Sequence, residues 1–220
     1  MADAPIADTP ASYKVVGSEV LLRTGRVIDI RSDQVVLPDG STATRDVVVH
    51  PGAVGIIALD DGKVLMVQQY RHTVGQLLWE PPAGLLDEPG EDPLVAAQRE
   101  LFEEAHHRAD RWDVLVDAFT SPGMTDEAIR IYLARAVRPA EEPRYEATEE
   151  ERDMPVRWVP LEEAVAAVLA GRLHNPMAVM GFLAAQHARD AGFRNLRPAD
   201  AVWPQMSPWP GSKRAGTRPS

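Results

Sequence analysis

Short apolar blocks open the readable part of the chain. From Val15 to Val49 the stretches EVLLRTGRVIDI, QVVL and DVVVH are separated by Ser-Asp and Pro-Asp-Gly. β-prone blocks broken by turn residues predict a small antiparallel unit. A second pair, AVGIIAL and KVLMVQQY, is joined by Asp60-Asp61-Gly62, a sequence suited to a tight hairpin. The Pro- and Gly-punctuated stretch WEPPAGLLDEPGED follows, and then the period changes. Asp92 stands where a helix N-cap is wanted and Pro93 at the first helical position, where a missing N–H costs nothing. Leu94, Ala97, Leu101 and Ala105 continue from there as an apolar stripe.

Further along, the pattern predicts strands at 112–119 and 128–137, a polar loop at 138–153, a strand near Val156 to Val159, and helices at 161–170 and 176–190. Mixed strands and helices predict an α/β fold. The expected organisation is a loose arm over 1–12, a β domain over 13–49, a main domain over 50–197 and a Pro- and Ser-rich tail over 198–220, with Trp203 and Trp209 as its possible anchors.

Composition narrows the class. Hydrophobic residues make up 45% and charged residues 25% of the 220 positions, which is ordinary globular usage. The absence of cysteine excludes disulfides, thiolate metal sites and cysteine nucleophiles. The first residues lack a basic start with a long apolar stretch, and no segment offers about 18 uninterrupted apolar residues. Neither secretion nor membrane spanning is expected, and the cytoplasm is the default compartment. A net charge of −10 argues against nucleic acid as a partner, because such binding rests on Lys and Arg. Small anionic substrates stay open if a cation intervenes.

The acidity is concentrated. From Glu80 to Glu104 there are eight carboxylates and one base, Arg99. Glu100, Glu103 and Glu104 stand at i, i+3 and i+4, on one face of the predicted helix, where they repel one another. Two of them lie in its last turns, where the helix dipole disfavours further anions. Hard oxygen ligands of this kind suit Mg²⁺ or Mn²⁺.

Gly84, Glu91, Arg99-Glu100-Leu101 and Glu103-Glu104 together resemble the signature of the Nudix hydrolases, G-x5-E-x7-R-E-U-x-E-E-x-G-U. From Glu91 to Glu104 every fixed position is met. Six residues rather than five separate Gly84 from Glu91, and His106 and His107 replace the late glycine and apolar residue. The first departure lengthens a surface loop; the second bears on the helix C-cap. Flanking stretches HPGAVGIIA, VQQYRH, WEPPAG, SPGMTDE and a Glu-rich loop before MPVRWVPLEE resemble the ADP-ribose pyrophosphatase branch, from about Val48 to about Leu161.

The resemblance implies a Nudix-type α/β/α sandwich with a mixed sheet, preceded by a small antiparallel domain exchanged within a homodimer. It implies Mg²⁺-dependent cleavage of a nucleotide-sugar diphosphate, with Mn²⁺ able to substitute. Metal ligation falls on Glu100, Glu104 and the Ala83 carbonyl, with Glu103 beside them. Arg99 orients the carboxylates, and Glu91 lies near the cluster. On the substrate side it places Arg71 near the phosphates, Glu127 on ribose hydroxyls, and Glu80. The catalytic base is matched to Glu150 in the EATEEERDMP loop, with Glu149 and Glu151 adjacent. His50, His72, His174 and His187 show no metal-ligand spacing and are read as structural.

Three alternatives stay open at this point. The same signature serves other nucleoside diphosphate derivatives and dinucleotides. A module that binds ADP-ribose without cleaving it is another possibility, although it need not keep Arg99, Glu100, Glu103 and Glu104 together. A scaffold protein whose acidic helix and Trp-bearing tail serve a partner is the third.

Overall fold

The computed structural model describes residues 6–23, 27–88, 90–145 and 154–206. Strands β1 (Val15–Arg23), β2 (Asp29–Val36) and β3 (Thr42–Val49) form an antiparallel sheet in that order. The stretch EVLLRTGRVIDI, read above as one β-rich block, is divided between two strands. Val20 pairs with Arg31 and Leu22 with Ile30, so the block folds back on itself and QVVL contributes to the end of β2.

The larger sheet contains β4 (Ala53–Asp60), β5 (Lys63–Arg71), β6 (Gln76–Glu80), β7 (Ala83–Leu85), β8 (His107–Phe119), β9 (Ala128–Pro139), β10 (Val156–Pro160) and β11 (Arg197–Pro198). Its path runs β10-β5-β4-β9-β8-β11, with β6 on β5 and β7 on β4. Only the β4–β9 pair is parallel, so the sheet is mixed. The β4–β5 hairpin forms as expected, with Asp61 and Gly62 both at positive φ (44° and 71°), as a two-residue turn of this kind requires.

Beyond that turn the hairpin opens. Strands β4 and β5 share register only at Leu59–Val64 and Asp60–Lys63. Past Val67, β5 gives its inner edge to β6, while Ala53 to Gly55 of β4 give theirs to β7. The sheet therefore splits, and β6 and β7 line its two banks. Neither strand was expected, because WEPPAG reads as turn punctuation. Pro81 and Pro82 in fact lie between the strands, and the Pro82 carbonyl accepts from Ile56 N–H (2.8 Å).

Both faces of the sheet are covered, which explains the near-continuous apolar run of β4. Val54, Ile56 and Ala58 face α1 (Pro93–Ala105), joining Ala97, Leu101 and Ala105 in one cluster. Ala53, Ile57 and Leu59 face α2 (Leu161–Leu169) and α3 (Pro176–Asp190), joining Leu161, Ala178 and Phe182 in another. The result is the α/β/α sandwich that the resemblance implied. No helix among the described residues is long and apolar enough to cross a membrane.

Helix α1 is capped at both ends by its own sequence. The Asp92 carboxylate accepts from Leu94 N–H (2.8 Å). At the other end His106 takes the left-handed conformation that the family motif gives to glycine (φ 55°, ψ 42°), and its N–H donates back to Phe102 O (2.8 Å). This reversal sends the chain straight into β8, which begins at His107 rather than at 112.

Residues 198–206, read above as the start of the tail, pack onto the sheet. Arg130, buried at 2% exposure, makes a two-point ion pair with Asp117 (2.7 and 3.0 Å) and donates to the carbonyls of Ala201 and Val202. Its guanidinium lies 4.8 Å from the Trp203 ring centroid, and Trp203 itself is buried in the α1-side cluster. Burial pushes the Asp117 carboxyl up, but the Arg130 and Arg197 guanidiniums outweigh it and leave the group below the usual carboxylate range.

Two outcomes follow from this clasp. Trp203→Ala removes a buried aromatic and should destabilise the fold by about 3 kcal/mol or more in urea titration. A carboxyl with a lowered folded pKa contributes stability that is present above its unfolded value and lost as pH falls through the folded one. The stability gap between wild type and Asp117→Asn should therefore be wide at pH 6 and close on acidification below about 4. Chemical denaturation across pH 3 to 7 measures it.

Candidate active site

The split in the sheet opens into a cavity of about 1130 Å³, large enough for a nucleotide-sized ligand. Its floor comes from β4 to β7, one wall from α1, and another from the loop between β8 and β9 with the N-terminus of α3.

The α1 wall carries the acidic cluster. Arg99 donates to both oxygens of Glu91 (3.0 Å each), to Glu100 Oε1 (2.6 Å) and to Glu103 Oε2 (3.0 Å). One guanidinium thus draws together three carboxylates that would otherwise repel. The Glu91 bond above all, helped by Glu100 and Glu103 and opposed by burial, holds Arg99 further in its charged form.

Glu104 turns the other way. It is 8% exposed and accepts from the backbone N–H of Ala83 (3.0 Å), so α1 is tied to β7 at the bank of the cleft. The next residue, Gly84, is a steric necessity. A Cβ built there would lie 2.0 Å from Glu100 Oε1, well inside van der Waals contact. Only a residue without a side chain lets β7 run beside the Glu100 carboxylate.

Among the described residues no three carboxylate or imidazole groups are clustered so as to hold a metal as they stand. The donors are nevertheless right for a hard cation. Three carboxylates, Glu91, Glu100 and Glu103, share one guanidinium, Glu104 adds a fourth beside them, and the excess negative charge lies where Gly84 leaves room. Glu100, Glu103 and Glu104, with backbone oxygen from β7, fit a divalent ion once the carboxylates turn off Arg99 and the Ala83 N–H.

On the opposite bank Arg71 grips Glu80 through two bonds (2.9 and 2.5 Å). Glu80 is 1% exposed, while the Arg71 side chain keeps 41% of its surface open. Glu80 therefore acts on Arg71, fixing its fork at the cavity edge.

Glu127 also lines the cavity. Thr120 Oγ donates to its Oε2, and the Thr125 hydroxyl accepts from its backbone N–H (3.1 Å). His50 approaches Glu127 Oε1 to 3.6 Å through Nδ1. That same nitrogen accepts from Gly52 N–H (3.1 Å).

His50, read above as structural, does line the cavity, as do Thr120 and Asn175, which sequence reasoning did not single out. Each is an ordinary polar residue far along the chain from the acidic helix, and no spacing marks it. His50 also belongs to a seam. Val48 N–H donates to Met124 O (2.8 Å), Asp126 N–H to Val48 O (3.2 Å), and His50 N–H to Asp126 Oδ1 (2.9 Å). The end of the N-terminal sheet is thereby stitched to the loop that carries Glu127. Glu150, with Glu149 and Glu151, lies outside the described residues.

Comparison with known proteins agrees with this geometry. The NUDIX domain family matches residues 49–180. The chain is 48% identical over 192 residues to the ADP-ribose pyrophosphatase of Mycobacterium tuberculosis, covering 87% of this chain and 91% of that one. It is 38% identical over 156 residues to the ADP-ribose pyrophosphatase of Bacillus subtilis, covering 70% and 82%. A solved ADP compounds hydrolase superposes with a TM-score of 0.68 at 18% identity, over 84% of this chain and 99% of that one, a likeness of fold. Signature helix, split mixed sheet and relatives converge: the chain belongs to the Nudix family and is a Nudix hydrolase.

Proposed function

We propose that this enzyme hydrolyses the diphosphate of ADP-ribose, releasing AMP and ribose 5-phosphate, with Mg²⁺ as its metal. The observation that carries the reading is the cluster of Glu100, Glu103 and Glu104 around the Gly84 gap, in a chain that spans most of relatives named for this activity.

A divalent ion at this cluster would neutralise the diphosphate and lower the pKa of a bound water. The protein's own groups do the rest. Arg99 gathers the carboxylates, and the Ala83 N–H sets the angle of Glu104. Arg71, held flat by Glu80, offers its planar fork to phosphate oxygens. Glu127, braced by Thr120, accepts from ribose hydroxyls.

Water attacks one phosphorus in line with the departing phosphate, breaking the bridging P–O bond, and the proton it loses goes to the Glu150 carboxylate. Positioning and preorganised charge supply most of the acceleration.

We assign the enzyme to the cytoplasm and to a homodimer. Val16, Leu21 and Leu22 of β1 are 54%, 53% and 49% exposed, and a three-stranded sheet needs cover for apolar surface of that extent. A second copy of the chain supplies it in this reading.

Three measurements test the proposal. Release of AMP from ADP-ribose should require added Mg²⁺ and vanish in excess chelator. Glu104→Gln keeps shape but removes a charge and an oxygen donor, so kcat should fall roughly 10²-fold or more at saturating Mg²⁺. Near-normal turnover would remove Glu104 from the metal site. Gly84→Ala should also lower kcat by about 10²-fold, because its methyl displaces the Glu100 carboxylate, while Glu104 keeps its Ala83 bond. Steady-state kinetics on both variants separates the two effects from a change in KM.

A further inference from the structure

The first turn of α3 lines the cavity beside the β8–β9 loop, and its cap leaves two kinds of donor unused. Asn175 is the N-cap. Its Oδ1 accepts from Ala178 N–H (3.0 Å), and its carbonyl accepts from Val179 N–H (3.0 Å). Pro176 has no N–H. Of the first-turn donors this leaves the N–H of Met177, which has no acceptor among the described residues.

The cap also fixes which way the Asn175 amide faces. Because Oδ1 is committed to Ala178, the other end of the amide must be Nδ2, a double donor. Asn175 is only 9% exposed, yet Nδ2 has no acceptor among the described residues and is not sealed from solvent. Asn175 lines the cavity.

A nine-tenths-buried side chain with two unused donors, beside the positive end of a 15-residue helix, is suited to an anionic oxygen. Packing indicates which part of the ligand it meets. A Cβ on Gly55 would lie 2.7 Å from Met177 Sδ, so the first turn of α3 sits hard against β4 at that residue. Gly55 pairs with Ala83, the neighbour of the Gly84 gap beside Glu100. The first turn of α3 thus lies against one face of the β4–β7 pair at the residue next to Gly84, and the acidic cluster of α1 lies against the other face, with both lining the cavity.

We propose that the Asn175 side-chain amide and the Met177 N–H form a subsite for a phosphate oxygen of the diphosphate substrate. The subsite rests on the diphosphate hydrolase reading above. It complements the acidic cluster: one side of the cavity holds the phosphates through a cation, and this side holds them through neutral donors.

Capping and donation are separable by substitution. Asn175→Ser and Asn175→Asp keep an oxygen to cap α3 but lose the amide donors, and Asp adds a charge that repels phosphate. Melting temperatures should stay near wild type for both. For ADP-ribose turnover, KM should rise about tenfold in Asn175→Ser and further in Asn175→Asp, with kcat changed far less.

Calorimetric binding of ADP and of an α,β-methylene analogue of ADP-ribose, both with Mg²⁺, should weaken in parallel. Wild-type KM and ADP affinity in Asn175→Ser would overturn the subsite. So would weakened binding of the analogue alone, which would put the amide on the terminal ribose. The ADP arm needs no turnover: failure of the ADP-ribose reading appears in the wild type, and failure of the subsite only in the variants.

Discussion

Like charges crowded on one helix are the constraint that the site depends on. Glu100, Glu103 and Glu104 share a face of α1, close to a C-terminus whose dipole opposes them. The fold resolves this locally and incompletely. Arg99 neutralises one unit of charge while touching three carboxylates, and Glu104 accepts from a backbone N–H. What remains is net negative charge at a gap without a side chain, held open by Gly84. Replacing Arg99 by a residue with a point charge would lose the fork that spans Glu91, Glu100 and Glu103 together.

The second determinant is the split sheet. A β-hairpin usually closes along its length; here β4 and β5 meet near their turn and then diverge. Two short strands occupy the vacated edges, so the diverging ends of β4 and β5 keep ladder partners on both banks of the cleft. That rigidity matters for chemistry. The Arg71 side chain reaches back along β5 to Glu80 of β6, which pairs with Val67, and Ala83 and Gly84 sit on β7 where α1 can reach them. Glu80 thereby fixes Arg71, and the Ala83 N–H fixes Glu104.

Much of this was legible in the chain itself. Asp92-Pro93 announces the start of α1, Asp60-Asp61-Gly62 the hairpin, and the spacing from Glu91 to Glu104 the acidic face. Local chemistry decides each of these. β6 and β7 were missed because Pro81, Pro82 and Gly84 look like breakers, and it takes the divergence of β4 and β5 to give such short strands partners. The start of β8 was missed because a histidine at 106 does not advertise a left-handed cap. Trp203 read as an optional anchor; its burial depends on Arg130, which is 73 positions away and buried only because Asp117 pairs with it. His50, Thr120 and Asn175 enter the cavity through tertiary packing alone, and no periodicity signals that.

The seam at Val48 to His50 links two parts of the molecule that the sequence presents as separate. β3 ends in bonds to Met124 and Asp126, so the N-terminal sheet and the Glu127 loop move as one unit or break those bonds together. A loop that lines a binding cavity ordinarily pays an ordering cost when ligand arrives. Here the cost falls on folding, through the sheet. The outer strand of that sheet carries exposed Val16, Leu21 and Leu22 and is too small to hold its shape unaided. Whatever covers β1 therefore steadies β3 through β2, and β3 in turn steadies Glu127. The N-terminal sheet thus has a direct mechanical route to Glu127 at the cavity.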